Sequence, residues 1–597
     1  MTLSSTGPRA FSRGIQLTTW VSRRNWVCSP CRQATVRPSI WVKSRPITTD
    51  ATSSSASTST PPKKPYYVTS PIFYVNAEPH VGHLYTLVLA DIFKRWQVLL
   101  GNTDAKLLTG TDEHGIKIQQ AAASRGLTPA ALCDQTYKTF QNVARNANVS
   151  YDHFIRTTDQ SHVDTVRHFW DMLDKAGYIY QSKHEGWYCV SEETFYPKSA
   201  VQMALDPETG RKIMTTIETG KEVEWSSETN YHFKMSALQD RLLAHYRENE
   251  GFVSPSRHYD TVVKEVEAGL QDLSVSRPSS RLSWGIPVPG DDTQTIYVWL
   301  DALVNYLTYT GYPWTPGQEH KSIWPADLHI IGKDILRFHA IYWPAFLLAL
   351  NLPLPRNILT HGHWTINHEK MSKSTGNVVN PNFAIERFGD DVMRFFLAYN
   401  GTLRDDADYD NSYIVNRYQK HLMGGIGNLT SRLTRSKLWS VRQSVECAAN
   451  GTLPIPTELD KGHEERLLKF RQKLKAHMDN FDLWKAMHHG IDLITLANKY
   501  FHNSEPWNSA RKAAPGAPNE VMRVIYNTAE SLRLVGIMLQ PIMPTKAGLL
   551  LDMLGVPQEQ RNFDSMKYGH DMAYGVPMVE LGKGPQGTLF PPLAAEH

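Results

Sequence analysis

A strand–helix alternation that starts at Tyr66, breaks off near residue 178 and resumes near residue 291 constrains the fold more than any other feature of the chain. Tyr66 to Ser70 reads as a short buried strand. From about Gly82 the apolar residues Leu84, Leu87, Val88, Ile92 and Leu99 recur at helical spacing, and Gly101-Asn102 is a stop signal. Lys106 to Thr109 reads as a second strand with a further helical stretch behind it, so the chain begins βαβα, the signature of a parallel sheet. Between 178 and 290 short aromatic strand-like pieces and Pro/Gly turns take over, as in an inserted subdomain. The earlier pattern then returns, with Thr295 to Leu300, Leu328 to Ile331 and Asn357 to His361 as strands and Asp334 to Leu350 as a helix. From about Asn411 to Leu554 nearly everything reads as amphipathic helix, including Tyr413 to Leu433, Glu464 to Met478, Trp484 to Phe501 and Val521 to Met538. The expected fold class is therefore α/β, a parallel-sheet domain split by a small insert and followed by an all-α domain. The halves of the split domain are expected at 61–177 and 291–400, the insert at 178–290, the helical domain at 401–560 and a tail at 561–597.

A chain of 597 residues exceeds what one hydrophobic core supports, which agrees with several packed units. Its longest apolar run, Ile341 to Leu352, is interrupted by Pro344 and Asn351 and falls short of the ~20 residues that span a bilayer. Five cysteines cannot build a disulfide scaffold for a chain of this length, and a reducing compartment fits them better. Residues 1–49 carry Arg9, Arg13, Arg23, Arg24, Arg32, Arg37, Lys43 and Arg45 among serines and threonines, and the first acidic residue is Asp50. That is the composition of a mitochondrial transit peptide, so 1–60 is expected to be a transit peptide and linker and the mature chain to work in the mitochondrial matrix. Subtracting the eight basic charges of that segment from the formal +4 leaves −4, so nucleic-acid binding would have to use local basic patches. Prediction: N-terminal sequencing of the organelle-purified protein finds a start between about Ile47 and Lys64, and a start at Met1 or Thr2 would remove the transit reading.

Two constellations carry chemistry. His80-Val81-Gly82-His83 lies between a predicted strand and a predicted helix, where ligands of open α/β sheets bind and where a helix N-terminus offers N–H groups to phosphate. Two imidazoles add donors to charge developing on phosphate oxygens, and Gly82 lets a flat base approach the backbone. The pattern arises by chance in roughly one chain in fifteen, so two helix-capping histidines are the standing alternative. Lys370-Met371-Ser372-Lys373-Ser374, followed by Thr375-Gly376-Asn377, is far rarer, on the order of once in several thousand chains. Two ammonium groups on a glycine-containing loop can swing onto a triphosphate and stabilise departing pyrophosphate.

Together these motifs resemble the signature pair of the class I aminoacyl-tRNA synthetases. Thr109-Gly-Thr-Asp-Glu-His-Gly115, Val298-Trp-Leu-Asp-Ala302, Gly332-Lys-Asp-Ile335, Phe338-His339 and Tyr342-Trp-Pro-Ala345 narrow the resemblance to the methionine enzymes, over about residues 66–554. The resemblance implies a catalytic domain of the Rossmann type with ATP, Mg2+ and methionine as substrates. It implies catalysis by His80, His83, Lys370 and Lys373, and ATP contacts from Gly82, Gly332, Asp334, Lys370, Lys373 and Ser374. Asp112 then takes the α-ammonium of methionine by a charge-assisted hydrogen bond, with a helix N-cap as its alternative role. Ile72, Tyr74, Trp299, Tyr306, Phe338, His339 and Trp343 surround the thioether, which packs well on ring edges. His339 and Trp343, four apart on a predicted helix, are expected to share a face.

In the helical domain the resemblance assigns Asn428, Arg432 and Trp507 to the CAU anticodon of tRNA(Met), as hydrogen-bonding and stacking partners of unstacked bases. Many relatives hold zinc through paired cysteines in the insert. Here Cys189-Val190-Ser191-Glu192 has glutamate where the second cysteine would stand, so no metal is expected there, since structural zinc needs about four N/S ligands. A monomer without membrane association is expected. Two other readings are a different class I synthetase and a synthetase-like RNA-binding protein without catalysis. Only 290 positions separate His80 from Lys370, too few for the bulky editing insertion of the branched-chain enzymes, and both signatures are intact.

Overall fold

The computed structural model describes residues 64–597 except 191–193, 197, 207–208, 218, 372–377, 513–519, 585–586 and 594–597. The expected transit segment and Cys28-Cys31 lie outside the described residues. Six strands make the central sheet: β1 (Tyr67–Tyr74), β2 (Lys106–Asp112), β3 (His153–Arg156), β4 (Val253–Ser254), β5 (Leu328–Gly332) and β6 (Ile358–His361). Their order is β3-β2-β1-β5-β6-β4 and every pairing is parallel. Such a sheet is covered on both faces, which is why β1 opens with four consecutive buried residues, where alternation would mark a sheet with one face in water. Pro71 interrupts β1. It has no N–H to give, and the register of β1 against β2 shifts between Thr69 and Ile72, which re-aims the last residues of the strand.

Helix α1 (Val81–Leu99) follows β1 and is buried along most of its length. The stretch expected as a strand at Thr295–Leu300 divides. A strand covers Asp291–Ile296, Tyr297 is extended, and α2 (Val298–Thr308) begins immediately after it. An apolar run of six residues shows no period long enough to separate the two states. The helix expected at Asp334–Leu350 is also subdivided, into a 3-10 turn at Lys333–Ile335, a π-helical stretch at Phe338–Tyr342 and an α-helix at Trp343–Ala349.

Between β3 and β5 a second, antiparallel sheet is built from Ile179–Cys189, Thr194–Tyr196, Val201–Leu205, Lys212–Thr216 and Glu222–Phe233. The strand-like reading of 178–290 holds there but misses two helices, Gln239–Glu248 and Ser256–Glu267, whose few buried residues are spaced among charged ones. Between those helices runs β4, the edge strand of the central sheet. Cys189 is buried with Val201 and Val223 in the small apolar cluster of the antiparallel sheet.

After β6 a hairpin pairs Trp364–Ile366 with Glu369–Lys370. Its two-residue turn, Asn367-His368, has positive φ at both positions (52° and 64°), the geometry that suits the twist of a tight hairpin. Lys370 opens the second signature from this strand, and Trp364–Ile366 is tied in turn to Ala407–Asp408. The described residues from Asn411 to Leu554 are mostly helical, and those after Gln560 form an irregular tail. Helix Glu520–Leu539 is buried almost throughout and packs against Glu458–Asp479, Leu483–Asn503 and Pro544–Leu554. One apolar core runs from β1 and α1 into these helices.

Candidate active site

The carboxyl ends of β1, β2, β5 and β6 open into one cavity of about 410 Å³. It lies where the strand order reverses between β1 and β5, the place an open α/β sheet offers a ligand. Ile72 and Tyr74 reach it from β1, Asp112 from the end of β2, Gly332 and Asp334 from the turn after β5, and Trp299 and Tyr306 from α2. His80, Gly82 and His83 form its rim at the start of α1.

The two rim histidines cap α1, as the alternative reading proposed. His80 is the N-cap of α1, and its Nδ1 accepts the Gly82 N–H at 3.1 Å. His83 Nδ1 accepts the His80 N–H at 3.0 Å, closing a reciprocal capping box. An imidazole that accepts at Nδ1 carries its proton on Nε2, so capping fixes both rings as Nε2–H donors. The rings stand 3.8 Å apart at 30°. A Cβ on Gly82 would come within 2.8 Å of His80 Cε1, so glycine is required here to make room for the capping ring.

At the apolar end, Tyr306 Oη and His339 Nε2 are 2.8 Å apart, and His339 Nδ1 lies 3.0 Å from the Ile335 carbonyl. Burial pulls His339 down to about 4, so it is neutral near pH 7. It donates from Nδ1 to Ile335 and accepts at Nε2 from the Tyr306 hydroxyl. Trp299 stacks face to face on Phe338 at 3.6 Å and 6°.

Phe338 and Trp343 are not on the cavity wall. Phe338 backs Trp299. Trp343 is 0% exposed and packs behind Tyr306, between Phe169 and Trp324. The expectation that His339 and Trp343 share a helix face assumed 3.6 residues per turn, whereas the π-helical stretch bonds the Trp343 N–H to Phe338, five residues back, and turns Trp343 away.

At the polar end, Asp334 Oδ1 lies 3.1 Å from His363 Nε2, and a Cβ on Gly332 would sit 2.5 Å from that oxygen, so glycine leaves room for the carboxylate. Sequence reasoning missed His361, His363, Thr86, Lys117 and Met371, all of which line the cavity. His361 ends a strand that the sequence did mark, and Thr86 lies one turn beyond Gly82, so position relative to predicted elements was the available signal. Burial pulls His361 down to about 4. It donates from Nδ1 to the Gly362 carbonyl at 2.8 Å, and Nε2 takes the Thr86 hydroxyl at 2.8 Å, joining α1 to the end of β6.

Of the second signature, Met371 reaches the cavity, Lys370 is described through its backbone, and Lys373 and Ser374 lie outside the described residues. In the helical region Asn428 is exposed on Asn428–Thr434, and Arg432 on the same helix covers the rings of Phe501 at 4.7 Å and Trp507 at 5.4 Å. Trp507 is half-buried, so part of its ring is in the core and part faces solvent.

The family description "tRNA synthetases class I (M)" matches residues 66–434, more than half of the chain. A relative from Neurospora crassa, named probable mitochondrial methionine–tRNA ligase, is 48% identical over 581 residues, covering 96% of this chain and 92% of the relative. The chain belongs to the methionine branch of the class I tRNA synthetases. This synthetase is also 41% identical over 544 residues to the human mitochondrial methionine–tRNA ligase, covering 88% of this chain and 90% of that one. Among solved structures, Mycobacterium tuberculosis methionyl-tRNA synthetase in complex with methionyl-adenylate superposes with a TM-score of 0.79 at 37% identity, covering 89% of this synthetase and 100% of that chain. Among the described residues of the synthetase no group of three or more His, Cys, Asp or Glu is placed to hold a metal ion, and no helix is long and apolar enough to cross a membrane.

Proposed function

We propose that this chain is a methionine–tRNA ligase of the mitochondrial matrix, which activates methionine with Mg-ATP and transfers it to tRNA(Met). One observation carries the reading: a single cavity presents an acidic end at Asp112, an aromatic end at Trp299, Tyr306 and His339, and a rim of two fixed Nε2–H donors at a helix N-terminus. The first two ends suit an ammonium and a thioether on one small molecule, and the rim suits phosphate.

In the first step the methionine carboxylate attacks the α-phosphate of Mg-ATP in line, forming the mixed anhydride methionyl-adenylate and releasing pyrophosphate. Asp112 anchors the ammonium, so the carboxylate is held toward the phosphate. His80 and His83 donate from Nε2 to phosphate oxygens as charge builds, and Lys370 and Lys373 take the departing pyrophosphate. Gly82, Gly332 and Asp334 seat the adenosine, with Ser374 on the phosphate side. In the second step a terminal ribose hydroxyl of the tRNA attacks the adenylate carbonyl and AMP leaves. No protein nucleophile is used, and positioning and charge stabilisation supply the rate.

Asn428, Arg432 and Trp507 read the anticodon. Arg432, stacked on Trp507, fixes the plane on which a base can lie, an arrangement worth ~1–3 kcal/mol per stacked base. Trp507→Ala is expected to lower tRNA charging by about 10- to 100-fold while methionyl-adenylate formation stays near wild type. Charging and pyrophosphate exchange measured side by side decide this, and equal losses in both would refute the anticodon role. The enzyme acts as a monomer, and a dimer mass in light scattering would contradict that.

A further inference from the structure

The methionine cavity has two handles on different elements, Asp112 at the end of β2 and the aromatic wall on α2. Something must set the distance between them, because one amino acid of limited length has to reach both with its ammonium and its thioether. A direct polar link runs from the segment after β2 to α2. Asp301, on α2 between the wall residues Trp299 and Ala302, points away from the cavity and is 1% exposed. Its Oδ2 takes His114 Nδ1 at 2.7 Å and its Oδ1 takes His162 Nε2 at 2.8 Å. A carboxylate only accepts, so both histidines donate to it. Burial pushes the carboxyl of Asp301 up, and the two imidazoles more than reverse it, so it lies below its usual range and stays ionised. His114 is two residues beyond Asp112 and bonds directly to α2 through Asp301. Glu113 instead turns to Arg156, which grips both its oxygens at 2.8 and 2.9 Å, and Gly115 N–H bonds to the Trp284 carbonyl at 3.1 Å.

We infer that Asp301 and His114 form a strut that sets the spacing between the ammonium anchor and the thioether wall, and that they are positioning residues for methionine and not for ATP. The inference rests on the reading of Asp112 as the ammonium contact. The ATP end is held by different bonds, those of His80, His83, Thr86 and His361 to α1 and β6. Cutting the strut therefore misplaces one substrate and leaves the other seated.

Pyrophosphate exchange on the full-length mature enzyme, with methionine and ATP varied separately, tests this in four variants. Asp301→Asn and His114→Leu are expected to raise KM for methionine about 10- to 100-fold, with KM for ATP within about threefold. His114→Asn, which can still present a side-chain N–H near the Nδ1 position, is expected to return KM for methionine to within about threefold of wild type. If His114→Leu loses thermal stability but leaves KM for methionine unchanged, or moves both KM values together, the strut is structural only and the inference falls. Should Asp301→Asn fail to fold, the two His114 variants decide alone. Asp112→Asn is the separate control: an unchanged KM for methionine in that variant would defeat the ammonium reading itself, whereas a raised KM there with a normal His114→Leu defeats the strut alone.

Discussion

His83→Ala is expected to lower kcat for methionine-dependent pyrophosphate exchange by about 10²- to 10³-fold, with KM for methionine within about threefold. The ring touches the rim and not the thioether wall, so its loss falls on the charge that develops at phosphate. The alanine variant also loses half of the capping box, a cost of about 1 kcal/mol to α1. His83→Asn separates the two effects. Asparagine can place an acceptor near the Nδ1 position and cap the helix, but it has nothing at the reach of Nε2. It should regain the thermal stability lost in the alanine variant and remain slow. An asparagine variant as fast as wild type would mean that His83 serves α1 as a cap and contributes no donor to the reaction.

Arg394 is the residue whose loss should cost the fold most. It is 0% exposed, and its guanidinium bonds to Asp91 of α1 at 2.6 Å, to the carbonyls of Pro541 and Ile542 at 2.8 and 2.7 Å, and to that of Ala147 at 3.0 Å. One side chain therefore pins α1, the turn before β3 and the end of helix Glu520–Leu539 to one another. Arg394→Ala removes a buried charge and leaves Asp91 and three carbonyls short of a donor, which should cost on the order of 3–5 kcal/mol and lower the urea midpoint.

The pair also has a pH signature. Burial pushes Asp91 up, and the guanidiniums of Arg394 and Arg95 with Ser150 more than reverse it, so its carboxyl lies below the usual range. A depressed carboxylate contributes stability that is fully present above its unfolded pKa of about 3.9 and is lost as pH falls through the folded value. Arg394→Ala should therefore narrow the gap in stability between pH 6 and pH 3. An unchanged urea midpoint at pH 7 would mean that the apolar core alone holds these elements together.

The sequence exposed elements whose period ran long enough and concealed those whose meaning depends on a neighbour. Helix α1 was legible because Leu84 to Leu99 repeats over several turns, and β5 and β6 because they are buried on both faces. The helix at Val298 was hidden because Val-Trp-Leu suits strand and helix equally, and only the extended Tyr297 before it marks the change. Nothing in Phe338-His339-Ala340-Ile341-Tyr342 announces an i to i+5 turn, so the place of Trp343 behind Tyr306 is set by a backbone feature that the residue pattern does not encode. The cavity rim could be named in advance because its residues are contiguous in sequence. Thr86 with His361, and His114 with Asp301, pair across 275 and 187 positions, and no local pattern joins them.

A cavity that forms methionyl-adenylate must also exchange pyrophosphate into ATP when methionine is present. The most direct measurement is ATP–pyrophosphate exchange by recombinant protein starting near Lys63, with methionine, homocysteine, valine, isoleucine, leucine and cysteine offered one at a time. Exchange strongest with methionine and abolished by omitting the amino acid is the result expected. No exchange with any of the six from a folded sample would contradict the account and move the chain to a noncatalytic RNA-binding role.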